Sequence, residues 1–564
     1  MGEISNISSV STLVEIAARK GVRDVVLSPG SRNAPFIISF NGHGAFNCQS
    51  ILDERSAAFV ALGIAQQQKK PVILNCTSGS AVLNYSPALV EAFYQNIPLI
   101  AVTADRTSEW IDQGEGQSMR QVGLMENILI GSFNLVEEHT EDDHWHNNRL
   151  INEAFEMAMS LSRPVQINVP LKEPLYGTVE SNEDSIKTFD VMIPKASLSE
   201  IDLDSLASEF NAAERILVLV AQGNDSLNCL DVLREMNADS KVAILTETHA
   251  NLYHLGFVSS IDRTIESFLK SQLESDYVPD LLITIGGNVI SKKLKALFRR
   301  HKASITNHWN FGDEVMDTYQ SLTRLIKVDP APVLSFLKDL PQNTQYQFGN
   351  KWRAQFFQME QRHLSFLAKC PYSDLKVFEL INDFIPEGAN VQMGNSSVVR
   401  YFQLFNQLRN VSYFGNRGVS GIEGCTSTAV GAAQASDDVT LFVSGDQAFR
   451  YDSNALAVKS GTENLRIIVI NNSGGNIFRI IDGPKDHPVS EGFIEKVDEH
   501  SIRKLVEYHD VDYLEAHDLN SLEQSIQSLM DPKRMMCTVL EVFTPRIESP
   551  EIFKEYLEFL KEAK

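Results

Sequence analysis

The sequence predicts an α/β chain built as three doubly wound parallel-sheet domains. Short apolar β-rich runs alternate with helical stretches along most of the chain, the βαβ pattern of parallel sheets covered on both faces. Two polar segments interrupt that alternation. A length of 564 residues also exceeds one ordinary core and calls for about three or four domains.

Residues 1–180 hold the first set of strands: DVVLS (Asp24–Ser28), PVILNCT (Pro71–Thr77), PLIAVTA (Pro98–Ala104) and PVQINVP (Pro164–Pro170). The segment ILDERSAAFVALG (Ile51–Gly63) reads as a helix head. Asp53 suits the N-cap, and Glu54 in the first turn suits the helix dipole. The run Ala57–Ala65 is apolar nearly all round, so the helix is expected to be buried. A carboxylate at the head of a buried helix is costly unless paired or protonated. The polar, acidic stretch GTVESNEDSIKTFD (Gly177–Asp190) reads as a linker.

Residues 191–340 hold the second set: RILVLVAQG (Arg215–Gly223), KVAIL (Lys241–Leu245), DLLITIGGN (Asp280–Asn288) and RLIKVDP (Arg324–Pro330). LITIGGN invites a dinucleotide reading, and a nucleotide-binding regulatory protein is one alternative. No GxGxxG follows a strand to support it. PQNTQYQFGNKW (Pro341–Trp352) reads as the next connector. Residues 353–564 hold ANVQMG (Ala389–Gly394), VTLFVSG (Val439–Gly445), LRIIVINN (Leu465–Asn472) and CTVLEVF (Cys537–Phe543), then a charged amphipathic helix. TSGSAVLNYSPAL (Thr77–Leu89) echoes VSGDQAFRYDSNAL (Val443–Leu456) at a constant offset, Ser78 to Ser444 and Tyr85 to Tyr451. Each follows a strand and opens a helix, which predicts two similarly folded outer domains.

Composition bounds the partners. A net charge of -23 disfavours nucleic acid and anionic membrane surfaces. The six cysteines form no CxxC pair, so buried thiols in a reducing cytoplasm are expected. The N-terminus lacks the charged and apolar regions of a signal peptide, Asn6 breaks the myristoylation pattern, and no apolar run is long enough for membrane insertion.

The most specific chemistry lies in SGDQAFRYDSNALAVKSGTENLRIIVINNSGGNIF (Ser444–Phe478). One strand ends in Gly445-Asp446-Gln447, and the next ends in Asn471-Asn472-Ser-Gly-Gly. Asp446 and Asn472 are one βαβ crossover apart, so both tips should lie at the carboxyl ends of neighbouring strands. A carboxylate, an amide oxygen and a backbone carbonyl make a hard oxygen site suited to Mg²⁺, with the remaining positions left to water and phosphate.

These residues resemble the diphosphate-binding motif of thiamine-diphosphate-dependent enzymes. The resemblance implies that Asp446, Asn472 and the backbone of Gly474 bind Mg²⁺ or Mn²⁺, with Gly445 and Gln447 beside the cofactor. Gln447 stands where that family has glycine. It further implies a pyrimidine-binding first domain, a central Rossmann-like domain and a diphosphate-binding last domain. The cofactor would lie between subunits, so a homodimer or homotetramer is expected.

Longer strings are similar to the menaquinone-biosynthesis branch of that family: SPGSRNAP (Ser28–Pro35), DERSAAF (Asp53–Phe59), VTADR (Val102–Arg106) and NRGVSGIEGCTSTAVGAA (Asn416–Ala433). The branch implies decarboxylation of 2-oxoglutarate on thiamine diphosphate and addition of the succinyl carbanion to isochorismate. Glu54 becomes the catalytic carboxylate that touches the aminopyrimidine ring. Two dianionic substrates need local cations in so acidic a chain. The resemblance supplies Ser31, Arg32, Arg106, Lys292, Lys293, Ser396, Arg400 and Arg417, with Ser31 also able to cap a helix and the arginines suited to bidentate carboxylate contacts. Lys293 departs from the branch's arginine. Gln117 would help hold the hydroxylated ring, while Gly116 replaces an asparagine. Ile422 would bend the cofactor, and Ile477, Phe478 and Ile481 would wall the reacting carbon. An acetolactate-synthase-like carboligase or 2-oxoacid decarboxylase is the alternative within the same cofactor class.

Overall fold

The computed structural model describes residues 2–180, 186–223, 226–341, 345–480 and 487–562. Three parallel sheets carry the chain. Across the first, the strands run Asn47–Ser50, Asp24–Leu27, Val72–Cys76, Leu99–Asp105, Val165–Pro170 and Gly131–Asn134. Across the third they run Ser412–Phe414, Asn390–Met393, Thr440–Gly445, Leu465–Asn471, Thr538–Phe543 and Asp512–Ala516. Numbered within each set, both orders are the same: second, first, third, fourth, sixth, fifth. The echoed segments follow the third strand of each set, so that likeness reflects one topology used twice. The middle sheet orders Val242–Thr246, Ile216–Val220, Leu281–Ile285, Asn307–Phe311 and Arg324–Ile326.

Alternate strand residues face opposite sides, and each side has its own core. In the first sheet, Val25, Ile73 and Ile100 pack with the helix Ser8–Arg19. Val26, Leu74 and Ala101 pack on the other face with the helix Glu54–Gln68. That second core is continuous with the third sheet through Phe442, Ile467 and Val469. The join is the helix Glu54–Gln68 lying on the helix Cys425–Gln434. A Cβ on Gly63 would sit 2.1 Å from the Thr428 carbonyl oxygen, and one on Gly431 would sit 2.0 Å from that of Val60. Only glycine permits so close a backbone approach.

The strands that the sequence concealed share a cause. Asn47–Ser50, Gly131–Asn134, Ser412–Phe414 and Asp512–Ala516 are short or polar and lie at or next to sheet edges. Asn307–Phe311 reads NHWNF, yet it is buried because Thr284 bonds Asn310 and His308 within the sheet. The expected linker Gly177–Asp190 is tied down on both sides of residues 181–185, which lie outside the described residues. Thr178–Glu180 pairs antiparallel with Glu3–Ser5. Arg19 donates to the Ile186 carbonyl at 2.6 Å, and Asn152 to that of Lys187 at 3.0 Å. In the expected connector Pro341–Trp352, residues 342–344 lie outside the described residues. Its end belongs to the helix Phe348–Leu367, because Trp352 and Phe356 pack on Phe268 of the middle core. Residue 353, the expected start of the third set, therefore falls inside a helix. No disulfide joins the cysteines among the described residues. No helix among them is long and apolar enough to cross a membrane.

Candidate active site

Asp446 and Asn472 follow the strands Thr440–Gly445 and Leu465–Asn471, which pair in parallel with Gly445 opposite Ile470. Both tips thus share one carboxyl edge, beside the point where the strand order reverses. Asp446 is buried, and its Oδ2 has no hydrogen-bond partner. Burial is the main cause that pushes its carboxyl up to about 7. Asn472 donates its Nδ2 to Asp374 at 2.9 Å, which commits the amide nitrogen and leaves Oδ1 as the available face. An orphaned buried carboxylate oxygen beside a pre-oriented amide fits a hard divalent cation. Among the described residues no cluster of three His, Cys, Asp or Glu competes for that role. Gln447 donates to the Glu495 and Lys496 carbonyls at 2.7 and 2.6 Å, and Gly475 N–H reaches Glu495 at 2.8 Å. The two tips are thereby fastened to one loop, a role for Gln447 that the motif did not predict.

Asp53 caps the helix Glu54–Gln68, accepting from the Arg55 and Ser56 N–H groups at 3.0 and 3.3 Å. Residues Ser56–Gln66 are buried, as the apolar pattern predicts. Glu54 itself is half-buried at the mouth, where Asn84 donates to its Oε2 at 3.2 Å. Its carboxylate adds to the field on buried Cys76 and Tyr85.

The cations gather into two pairs. Arg32 is buried and donates to the Leu171 carbonyl at 3.0 Å and to Glu173 at 3.2 Å. Burial, then the neighbouring Arg106, holds its guanidinium below the ordinary range. Arg106 donates twice to the Gly116 carbonyl, at 3.1 and 3.0 Å, and so grips the turn that carries exposed Gln117. In the third unit Arg400 bonds the Ser396 carbonyl one turn back, and Arg417 donates to Asn395 at 2.7 Å. Burial and then Arg400 lower the Arg417 guanidinium. The middle unit divides its lysines: Lys292 is exposed at the start of the helix Lys292–Arg300, whereas Lys293 is ion-paired with Glu266. The Ser31 side chain caps no helix. The helix Ala34–His43 starts after Asn33, whose amide is used on Ser28 and Asn75 instead, while Ser31 stays exposed.

Comparison with known proteins decides the family. Residues 9–124 match the thiamine pyrophosphate enzyme, N-terminal TPP binding domain. A protein of Flavobacterium johnsoniae, named 2-succinyl-5-enolpyruvyl-6-hydroxy-3-cyclohexene-1-carboxylate synthase, is 39% identical over 562 residues, covering 98% of this chain and 99% of its own. Proteins of the same name from Flavobacterium psychrophilum and Christiangramia forsetii are 38% and 37% identical, covering 95% and 99% of both chains respectively. The chain belongs to the 2-succinyl-5-enolpyruvyl-6-hydroxy-3-cyclohexene-1-carboxylate synthase family.

In this chain the apolar candidates are distributed unevenly. Ile422 is half-buried just before the helix Cys425–Gln434, and Gly421 beside it accepts from Asn395 at 2.5 Å. Ile477 is buried and Phe478 half-buried at the head of the short helix Ile477–Ile480, so Phe478 is available to line a site. Ile481 lies outside the described residues. Sequence reasoning missed the residues that aim the others: Asp374 behind Asn472, Asn395 behind Arg417, and Asn288, whose amide donates to the Arg417 carbonyl at 2.7 Å. Asn395 and Asn288 follow strand ends, a signal that could have found them. Asp374 opens a helix and gives no such signal.

Proposed function

We propose that this chain is a thiamine-diphosphate-dependent transferase that decarboxylates 2-oxoglutarate and joins the succinyl unit to isochorismate. The product is 2-succinyl-5-enolpyruvyl-6-hydroxy-3-cyclohexene-1-carboxylate, on the route to menaquinone. The observation that carries this reading is the buried, unpartnered Asp446 carboxylate oxygen beside Asn472, in a chain that also gathers two guanidinium pairs, Arg32 with Arg106 and Arg417 with Arg400. A pyruvate decarboxylase has no need of several carboxylate clamps.

Asp446, Asn472 and the Gly474 carbonyl would hold Mg²⁺ or Mn²⁺ and, through it, the diphosphate. When bound, thiamine diphosphate supplies the nucleophilic carbon and the electron sink for decarboxylation. The chain's own groups do the rest. Glu54, held by Asn84, accepts and returns a proton at the mouth of its helix. Arg32 with Arg106, and Arg417 with Arg400, bind and orient substrate carboxylates, with Ser31, Gln117, Ser396, Lys292 and Lys293 at the margins. Ile422, Ile477 and Phe478 keep water away from the carboxylate that leaves. Residues 1–180 would form the pyrimidine-binding domain, 191–340 the central domain and 353–564 the diphosphate-binding domain.

A homodimer or homotetramer in the cytoplasm completes the reading. Leu52, 79% exposed beside Glu54, and Leu83, beside Asn84, leave apolar surface there for a second copy. Replacing Glu54 with Gln tests the assignment: cofactor binding persists and turnover is largely lost. Near-wild-type turnover would sink it. Thiamine diphosphate with Mg²⁺ raises the unfolding temperature while NAD does not, which separates this reading from a nucleotide-binding regulator.

A further inference from the structure

The loop carrying Arg417 is held from all three units. Asn395 of the third takes the guanidinium Nη1 at 2.7 Å. Asn288 of the middle unit donates to the Arg417 carbonyl at 2.7 Å and to that of Gly418 at 3.2 Å. The first unit contributes Glu91, from the helix Ser86–Gln95. Its Oε1 accepts the Gly418 N–H at 2.5 Å and its Oε2 accepts the Val419 N–H at 2.7 Å. Gln95 adds a third donor at 2.6 Å, and Gln222 of the middle unit bonds Gln95 in turn at 2.7 Å.

Glu91 is 1% exposed, and its carboxylate is met by three neutral donors. A buried carboxylate normally takes a cation. Arg417 is near enough to feel Glu91 and Glu247, yet among the described residues neither forms an ion pair with it. The negative charge of Glu91 is committed to two backbone N–H groups. Among the described residues, the guanidinium keeps its Nε without a hydrogen-bond partner and hydrogen-bonds one side chain, Asn395, through Nη1. The charges balance at a distance, and neither carboxylate takes up the guanidinium fork. Gly418 makes the contact possible, since a Cβ there would lie 2.6 Å from the Glu91 carbonyl oxygen.

We propose that Glu91 is a positioning residue for the substrate-carboxylate clamp. Through the Gly418 and Val419 N–H groups it sets where the Arg417 guanidinium points. The proposal rests on the reading of Arg417 as a clamp. Gln in place of Glu91 keeps the volume but turns an NH2 toward one of those N–H groups, so one contact becomes a repulsion and the loop shifts.

The test uses the assembled enzyme with thiamine diphosphate and Mg²⁺. KM is measured for each substrate with the other saturating, alongside kcat and the cofactor-induced rise in unfolding temperature. Glu91→Gln is expected to raise KM for one substrate about tenfold, with little change in kcat and none in the cofactor effect. Gly418→Ala, which displaces Glu91 from the other side, should give the same signature. Arg417→Ala should raise KM for that same substrate, and adding Glu91→Gln to it should change nothing further. Unchanged KM values in Glu91→Gln, whatever Gly418→Ala does, would overturn the proposal. So would a joint loss of kcat and cofactor binding, or full additivity with Arg417→Ala. If Arg417→Ala moves neither KM, the clamp reading fails and takes the proposal with it. If Arg417→Ala moves one KM and Glu91→Gln none, only the Glu91 proposal fails.

Discussion

Asp374→Asn is the most informative single-atom change near the proposed metal site. Asp374 is buried and accepts Thr544 Oγ1 at 2.5 Å on one oxygen and Asn472 Nδ2 at 2.9 Å on the other. An asparagine fits the same volume but has only one acceptor oxygen. If that oxygen keeps Thr544, an NH2 faces the Asn472 NH2. Asn472 must then flip, which turns its NH2 toward the proposed cation site and removes the oxygen proposed as a ligand. Loss of an outer partner of this kind weakens metal affinity about 10–100-fold. The assay is the rise in unfolding midpoint on adding thiamine diphosphate with Mg²⁺. At about 100 times the wild-type Kd, bound cofactor stabilises by about 2.7 kcal/mol. A variant about 30-fold weaker keeps about 0.9 kcal/mol at the same concentration. A variant that folds normally and retains the full cofactor effect would refute the claim that Asp374 orients Asn472.

Three further outcomes follow from packing and charge. Glu247 is fully buried, and burial first pushes its carboxyl from 4.5 to about 7. The folded state then holds a proton that the unfolded state has lost, so this group's contribution to stability falls as pH rises from about 4.5 to 7 and levels off above. In Glu247→Gln the stability relative to wild type should climb across that window by about 1.4 kcal/mol per pH unit, and parallel denaturation curves would contradict it. Gly431→Ala drives a Cβ into the Val60 carbonyl and should cost about 1–3 kcal/mol in urea unfolding; an unchanged midpoint would show that the two helices separate freely. Asp53→Ala removes the N-cap and the Asn454 contact at 2.7 Å, and should lower stability by about 1 kcal/mol with no gain in turnover.

What the sequence made legible was what depends on local pattern. Aliphatic runs such as ILVLV and LRIIVIN are buried on both faces and announce central strands. Asp53 announced its helix because a cap is a local device. Asp446 and Asn472 were visible because strand ends and glycine turns flank them. The edge strands were hidden because an edge needs fewer apolar residues. The true cap position at Asn33 was hidden because its amide answers to Asn75 on a neighbouring strand. The positioning residues were hidden by distance along the chain: Asp374 meets Asn472 across 98 positions, and Glu91 meets Gly418 across 327. Lys293 shows the same limit, since its pairing with Glu266 depends on how two helices meet.

The most direct test of the central claim is one assay with the purified chain, thiamine diphosphate and Mg²⁺, following isochorismate with and without 2-oxoglutarate. The account predicts that isochorismate is consumed only when 2-oxoglutarate is present, with CO₂ released in equal amount. Consumption without 2-oxoglutarate, or none with both substrates present, would contradict it.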